Sequence, residues 1–217
     1  MVDLAAARAQ LIKHLSSEIR DQRVLDAMAK IPRERFVPRE CHSLAYEDRP
    51  LPIGWGQTIS QPYIVALMTE ALELGGGERV LELGTGSGYQ AAILAELAAY
   101  VVTVERISPL ADNARRVLEE LGYRNVEVHL AGAHLGWPPG APYDAIMVTA
   151  AARRVPSELM EQLAEGGRLV IPVGSRWEQE LLKVVKRQGK ELQANLGACR
   201  FVPLIGPGAW GEEESEF

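Results

Sequence analysis

Two acids and three glycines form the densest chemical cluster in the chain. Glu82 stands two residues ahead of Gly84-Thr85-Gly86-Ser87-Gly88, and Glu105 follows Gly84 by 21 residues. Alternate glycines allow a turn whose backbone approaches a ligand closely, the usual arrangement for a nucleotide. A dinucleotide fingerprint would space them G-x-G-x-x-G and set a pyrophosphate on the next helix. Here the spacing is G-x-G-x-G, and a carboxylate at Glu82 would repel a pyrophosphate. It suits a cofactor bearing positive charge instead, such as the α-ammonium and sulfonium groups of S-adenosylmethionine. Glu105 falls where folds of this kind reach the two hydroxyls of a ribose.

These residues need a scaffold, and the flanking pattern supplies one. Residues 80–83 read as a short buried strand, residues 91–97 as an apolar-striped helix leaving the turn, and residues 100–104 as a second strand that ends at Glu105. Strand, glycine turn, helix, strand and acid, in that order, look like a class I methyltransferase, with S-adenosylmethionine as cofactor and S-adenosylhomocysteine as product. No metal is called for, because neither Cys41 nor Cys199 has a second thiol nearby and no other ligand spacing occurs.

Composition narrows the class. With 217 residues, 47% of them hydrophobic, and no low-complexity block, the chain is expected to form one domain, 1–217, with an ample core. A net charge of -6 argues against a broad basic face for nucleic acid. Asp3, Arg8, Lys13, Glu18 and Arg20 interrupt any signal-peptide pattern, and no stretch approaches the roughly 20 apolar residues of a membrane span. Two cysteines are too few for a disulfide framework. The expectation is a reduced, cytoplasmic protein with no nucleic-acid or membrane partner; its oligomeric state is open, with a monomer favoured.

The N-terminal part reads as a cap. Leu4, Ala7, Leu11, Ile12, Leu15 and Ile19 recur at helical spacing, and Val24, Leu25 and Met28 continue on a second helix that Pro32 closes. Residues 33–56 are broken by Pro38, Pro50, Pro52, Gly54 and Gly56 and read as an irregular functional segment. Ser60 then precedes a helix over 63–74, where it fits an N-cap with Pro62 in the first turn. The stretches Ile31-Pro32-Arg33-Glu34-Arg35-Phe36-Val37-Pro38, Leu51-Pro52-Ile53-Gly54 and Gln57-Thr58-Ile59-Ser60-Gln61-Pro62, followed by the glycine turn, resemble the protein-L-isoaspartate O-methyltransferase family. The resemblance runs from about Val24 to Leu204.

That resemblance implies an acceptor, a site and a fold. The acceptor would be the free α-carboxylate of L-isoaspartyl residues in damaged proteins and peptides, with repair as the purpose. Ser60 would belong to the active site, a role compatible with capping because a helix N-terminus can also hold a carboxylate. Cofactor contacts would come from Thr58, Ile59, Glu82, Gly84, Thr85, Gly86, Ser87, Gly88, Glu105, Arg106, Gly132 and Ala133. The fold would be α/β, a doubly wound Rossmann-like sheet, mainly parallel, with antiparallel C-terminal strands and the N-terminal helical cap. Residues 1–60 would be cap and substrate loop, 61–206 the cofactor core, and 207–217 an acidic mobile tail.

The rest of the chain fits this outline with one departure. Ser108-Pro109 opens a helix striped by Leu110, Ala114, Val117, Leu118 and Leu121, and residues 126–130 form a third strand. Next comes Ala131-Gly132-Ala133-His134-Leu135-Gly136-Trp137, where the family typically has Gly-Asp-Gly ahead of Gly-Trp. Its aspartate, part of the cofactor pocket, falls here at Gly132. His134 reads as a solvated loop residue, and His14, His42 and His129 as structural. Residues 144–149 form a fourth strand that opens into Ala150-Ala151-Ala152. A helix over 156–163 stops at Gly166-Gly167, a fifth strand covers 168–173, and residues 180–186 and 191–204 close the sheet antiparallel. Residues 200–204, Arg-Phe-Val-Pro-Leu, again match the family.

A carboxylate acceptor is ionised at neutral pH and needs no general base. This agrees with the lack of any His/Asp or Cys/His constellation and of an Asp/Asn-Pro-Pro-aromatic amine-methylating motif. Two alternatives stay open: a methyltransferase acting on a small molecule or RNA, and a non-catalytic binding module of the same fold, which the altered loop at Gly132 brings into consideration.

Overall fold

The computed structural model describes residues 2–206 and 209–211. Seven strands make the central sheet in the order β5-β4-β3-β6-β7-β8-β9. They are β3 (Arg79–Leu83), β4 (Tyr100–Glu105), β5 (Val126–Leu130), β6 (Tyr143–Val148), β7 (Leu163–Gly174), β8 (Gln179–Arg187) and β9 (Lys190–Cys199). The first five run parallel, and β8 and β9 are antiparallel, as the sequence implied. From β3 the chain steps outward to β4 and β5 on one side, then crosses back to lay β6 on the other side of β3. This reversal opens a crevice at the strands' C-terminal ends.

The helices follow from apolar stripes. Leaving the glycine turn, α4 (Tyr89–Leu97) is buried from Tyr89 to Ala95, while α5 (Ser108–Glu120) buries only Leu110, Ala111, Ala114, Val117 and Leu118. Ile107, one residue before the expected Ser108, holds the N-cap position of α5. In the cap, α1 (Leu4–Leu15) and α2 (Gln22–Lys30) each begin at an aspartate whose carboxylate accepts first-turn amides, Asp3 and Asp21. Val24, Leu25 and Met28 join Val65 and Ala66 of α3 (Pro62–Ala71) and Ile93 of α4 in one core cluster.

Four regions differ from the sequence expectation. Residues 33–56 are not structureless: they form two 3-10 turns, Arg33–Phe36 and Arg39–Leu44, and a hairpin of β1 (Leu51–Gly54) with β2 (Gln57–Ile59). The pairing Leu51↔Ile59 and Pro52↔Thr58 is a local antiparallel backbone ladder that prolines and glycines conceal in the sequence. The α6 helix (Ser157–Gln162) runs straight into β7, so Gly166-Gly167 is not a boundary. Its trace is a break in pairing, because β6 bonds Leu163 and then Arg168.

β9 ends at Cys199 instead of Leu204. There the Gln179 side chain takes over the backbone of Phe201, donating to its carbonyl at 3.1 Å and accepting from its amide at 2.7 Å. Residues 200–204 then pass the end of β6, where Ala151 N donates to Val202 O and Leu204 N to Ala151 O. The expected loose tail is tied down where described: Trp210 is buried, and its indole donates to the Ala151 carbonyl at 2.9 Å. The rest of that segment, 207–208 and 212–217, lies outside the described residues.

Candidate active site

At the crevice the glycine turn is locked from two sides. Gly84 has φ +96°, its amide donates to Val104 O, and a Cβ there would sit 2.3 Å from Thr149 Oγ1. That hydroxyl, at the end of β6, donates to the Gly84 carbonyl at 2.7 Å. Gly88, at φ +89°, opens α4 so close to α5 that a Cβ would lie 3.2 Å from Ala114 Cβ. Both positions therefore need glycine for conformation and for space.

Glu105 completes the turn. Its Oε2 accepts from Gly86 N at 2.8 Å and its Oε1 from Ile107 N at 2.9 Å, and the side chain is nearly buried. Each oxygen keeps a second acceptor site, so two neighbouring hydroxyls could be bound by a carboxylate whose orientation is already fixed. A cavity of about 330 Å³ opens over these groups. Of the residues picked from sequence, Thr58, Ile59, Ser60, Gly84, Thr85, Gly86, Ser87, Glu105, Arg106 and Gly132 lie on its wall. A glycine cradle, a hydroxyl-accepting acid and this volume fit an adenosyl cofactor.

Glu82, Gly88 and Ala133 are not on the wall. For Glu82 this corrects the direct electrostatic reading: the side chain is fully buried, and its Oε2 accepts from Thr103 Oγ1 at 2.5 Å. Thr103 in turn pairs with Thr85 Oγ1 at 2.6 Å, so the acid reaches the cavity only through two hydroxyls. Burial pushes its carboxyl up to about 8, and Oε1 has no hydrogen-bond partner among the described residues. At neutral pH the group is therefore mostly uncharged. Its residue type was legible in the sequence, but its depth was not.

A second cavity of about 390 Å³ adjoins the first, and Thr58, Ser60, Thr149, Val202 and Pro203 line both. Beyond them it is walled by Gln179, Cys199, Arg200, Phe201 and Trp210. Ser60 thus stands where the two spaces meet. It does not cap α3, because Gln61 holds that position without a side-chain bond. Asp48 does the capping from 15 residues away, accepting from Tyr63 N at 2.8 Å and from Gln61 Nε2 at 2.9 Å. Among the described residues the Ser60 hydroxyl has no hydrogen bond, while its carbonyl accepts from Arg33 Nη2 at 2.9 Å. Asp48, Thr149 and Gln179 carried no local signal in sequence, since each acts on residues distant in the chain.

The loop that follows β5 is tied at its start by the main chain. Ala131 N donates to the Glu105 carbonyl at 2.8 Å, continuing the β4–β5 ladder, and nothing lies within 4 Å of a Cβ built on Gly132. His134 is exposed and lines the first cavity only, and His129 stacks on Trp137 at 3.9 Å. Among the described residues no group of three metal-ligating side chains converges, and no helix is long and apolar enough to cross a membrane.

Comparison with known proteins gives one answer. The family model for protein-L-isoaspartate(D-aspartate) O-methyltransferase matches residues 6–208. A protein-L-isoaspartate O-methyltransferase of Geobacter metallireducens is 54% identical over 213 residues, covering 98% of this chain and 99% of that one. One from Methanoculleus marisnigri is 59% identical over 197 residues, covering 91% and 90%. A solved protein-L-isoaspartate O-methyltransferase superposes with a TM-score of 0.83 at 32% identity, over 93% of this chain and 67% of that one. A Plasmodium falciparum structure holding S-adenosylhomocysteine shares the fold, with a TM-score of 0.76 at 24% identity over 89% and 96% of the two chains.

Proposed function

We propose a division of labour for the site on one premise: the chain belongs to the protein-L-isoaspartate(D-aspartate) O-methyltransferase family. It is a methyltransferase dependent on S-adenosylmethionine, and neither a binding module nor an enzyme with a small-molecule or RNA acceptor is favoured. When bound, the cofactor supplies an electrophilic methyl group on a sulfonium and leaves as S-adenosylhomocysteine.

In our reading Glu105 accepts from the ribose hydroxyls, the turn from Gly84 to Ser87 offers backbone to the amino-acid end, and the loop at Gly132 flanks the adenine. The acceptor peptide occupies the second cavity, with its isoaspartyl α-carboxylate held by the Ser60 hydroxyl. The observation that carries this is the meeting of the two cavities at Ser60 and Thr149, together with a Ser60 hydroxyl left out of the helix cap. No base is required, since a carboxyl with an ordinary pKa near 4 is ionised at neutral pH. Holding both reactants in near-attack geometry lowers a barrier by about 7 to 11 kcal/mol, so positioning carries the rate. In solution the backbone amide nitrogen that follows would then attack the ester carbonyl, expelling methanol and closing a succinimide.

Around this chemistry we place residues 1–60 as cap and acceptor segment and 61–206 as cofactor core. The protein would work as a monomer in the cytoplasm on isoaspartyl proteins and peptides, with no nucleic-acid or membrane partner. Cys41 and Cys199, both free thiols, are consistent with a reducing compartment. The deciding experiment uses two peptides that differ only in L-isoaspartate against L-aspartate at one position, with radiolabelled S-adenosylmethionine. A misplacement of about 1 Å costs on the order of a hundredfold in rate, so only the isoaspartyl peptide should gain a base-labile methyl ester. Equal labelling of both, or label that survives mild base, would reject the acceptor.

A further inference from the structure

Arg33 has no exposed surface and makes no ion pair among the described residues. Its Nε donates to the Ala45 carbonyl at 2.8 Å and its Nη2 to the Ser60 carbonyl at 2.9 Å. Its Cζ lies 4.9 Å from the centre of the Tyr89 ring. Tyr89 is the first residue of α4, directly after Gly88, and lines the cofactor cavity. The guanidinium therefore joins three pieces of chain: the cap, the acceptor-site serine and the start of the cofactor helix.

This is a costly way to fill space. Burying a cation without a carboxylate partner costs several kcal/mol, and an apolar side chain of similar volume often packs as well or better. Desolvation lowers the Arg33 pKa from the usual arginine value, with Tyr89 and the more distant charge of Asp48 opposing it more weakly, and Nη1 is left without a hydrogen-bond partner among the described residues. What no apolar residue offers is a rigid planar fork that holds two carbonyls at a fixed spacing. One of those carbonyls belongs to the residue at the junction of the two cavities. From the other side Asp48 fixes Gln61 and Tyr63, so residues 60–63 are held at both ends by side chains from the cap.

We infer that Arg33 is a positioning residue for methyl transfer: it fixes the Ser60 backbone against the cofactor helix and so directs the Ser60 hydroxyl into the junction. The inference rests on the reading of Ser60 given above. Arg33 lines neither cavity, so its effect on the transfer passes through Ser60, with Ala45 and Tyr89 as the supports that brace the guanidinium.

A double-mutant cycle in the full chain tests it. Arg33→Lys keeps the charge and loses the fork. With an isoaspartyl peptide its single-turnover rate should fall roughly ten- to a hundredfold, the scale of a displacement of up to about 1 Å at the reacting centre. S-adenosylhomocysteine affinity, read by calorimetry, should stay as in the parent. In a Ser60→Ala background the same change should cause no further loss of rate, because the group it positions is gone. Rate losses that multiply in the double variant, or cofactor affinity that falls in step with rate, overturn the inference and leave Ser60 as read. A Ser60→Ala protein with undiminished turnover overturns the reading of Ser60 and the inference with it. Should the lysine variant not yield folded protein, Arg33→Gln, which keeps one donor and removes the buried charge, carries the same cycle with the same outcomes.

Discussion

Ser60→Ala separates two roles that a serine ahead of a helix can play. Had the hydroxyl capped α3, its loss would cost about 1 kcal/mol of stability. In the structure the Tyr63 amide is instead satisfied by Asp48, and the Ser60 hydroxyl has no bond to lose within the described residues. The expected stability change is therefore within about 0.5 kcal/mol, a shift in thermal midpoint of about 1–2 °C for a chain of this size. A hydroxyl bound to a carboxylate is worth about 1.5–3 kcal/mol, so turnover should fall roughly ten- to a hundredfold.

Asp48→Ala is the contrasting perturbation. It removes acceptors from both Tyr63 N and Gln61 Nε2, and should cost about 1–2 kcal/mol, or roughly 2–8 °C. Calorimetric midpoints and single-turnover rates on the two variants, with saturating cofactor, give four numbers that must sort in this pattern. A normal rate in Ser60→Ala refutes the active-site role. A midpoint that drops as far in Ser60→Ala as in Asp48→Ala refutes the capping assignment.

Three further outcomes are expected. Glu105→Gln keeps the side chain's shape while removing its charge, and S-adenosylhomocysteine should bind roughly tenfold more weakly, since charge-assisted hydrogen bonds are about twice as strong as neutral ones; unchanged affinity in calorimetry rejects the ribose contact. Gly132→Asp enters open space and adds a carboxylate to the cavity wall, so cofactor affinity should rise roughly tenfold or more, the worth of one hydrogen bond to a charged group; no gain shows that this loop has another solution. Glu82, with its folded carboxyl raised to about 8 against an ordinary value near 4.5, is neutral in both states below pH 4.5. Between pH 4.5 and 8 the unfolded chain ionises first and wild-type stability declines, so the stability of Glu82→Gln relative to wild type should climb across that window and level off above it. A difference independent of pH, measured by denaturant unfolding without cofactor, contradicts the buried neutral acid.

The cofactor half of the site was legible because its parts are contiguous. Strand, turn, helix and second strand occupy residues 79–105, and the ties of Gly84 N to Val104 O and of Gly86 N to Glu105 fall inside this unit, while the close approaches of Thr149 and Ala114 come from outside it. Strand periodicity located β3 to β6 within a residue or two for the same reason. The part proposed for the acceptor, the second cavity and its junction at Ser60, was legible only as motifs. Its geometry depends on Arg33 reaching Ser60, Asp48 reaching Tyr63 and Gln179 reaching Phe201, across 27, 15 and 22 residues. Side-chain to backbone bonds of that span leave no periodicity, so residues 33–56 looked structureless and 200–204 looked like more strand. Glu82 failed differently, because sequence gives the charge of a residue type and not the depth at which it is buried.

The same distinction explains why the altered loop does not unsettle the assignment. A lost side chain matters to a fold when the backbone around it depended on that side chain. Here the loop begins with a main-chain bond, Ala131 N to Glu105 O, and its next element is set by Leu135, Gly136 and Trp137. The Trp137 amide donates to Gln162 Oε1 at 2.8 Å, and the Gln162 amide donates to the Leu135 carbonyl at 2.8 Å. Gly136 has φ +80° and lies so near Gln162 that a Cβ would sit 2.6 Å from its Oε1. Both ends of the loop are therefore anchored independently of residues 132 and 133. A glycine at 132 between such anchors leaves the cavity's outline in place, so under the proposed reading of this loop its consequence falls on cofactor affinity, the quantity that Gly132→Asp measures.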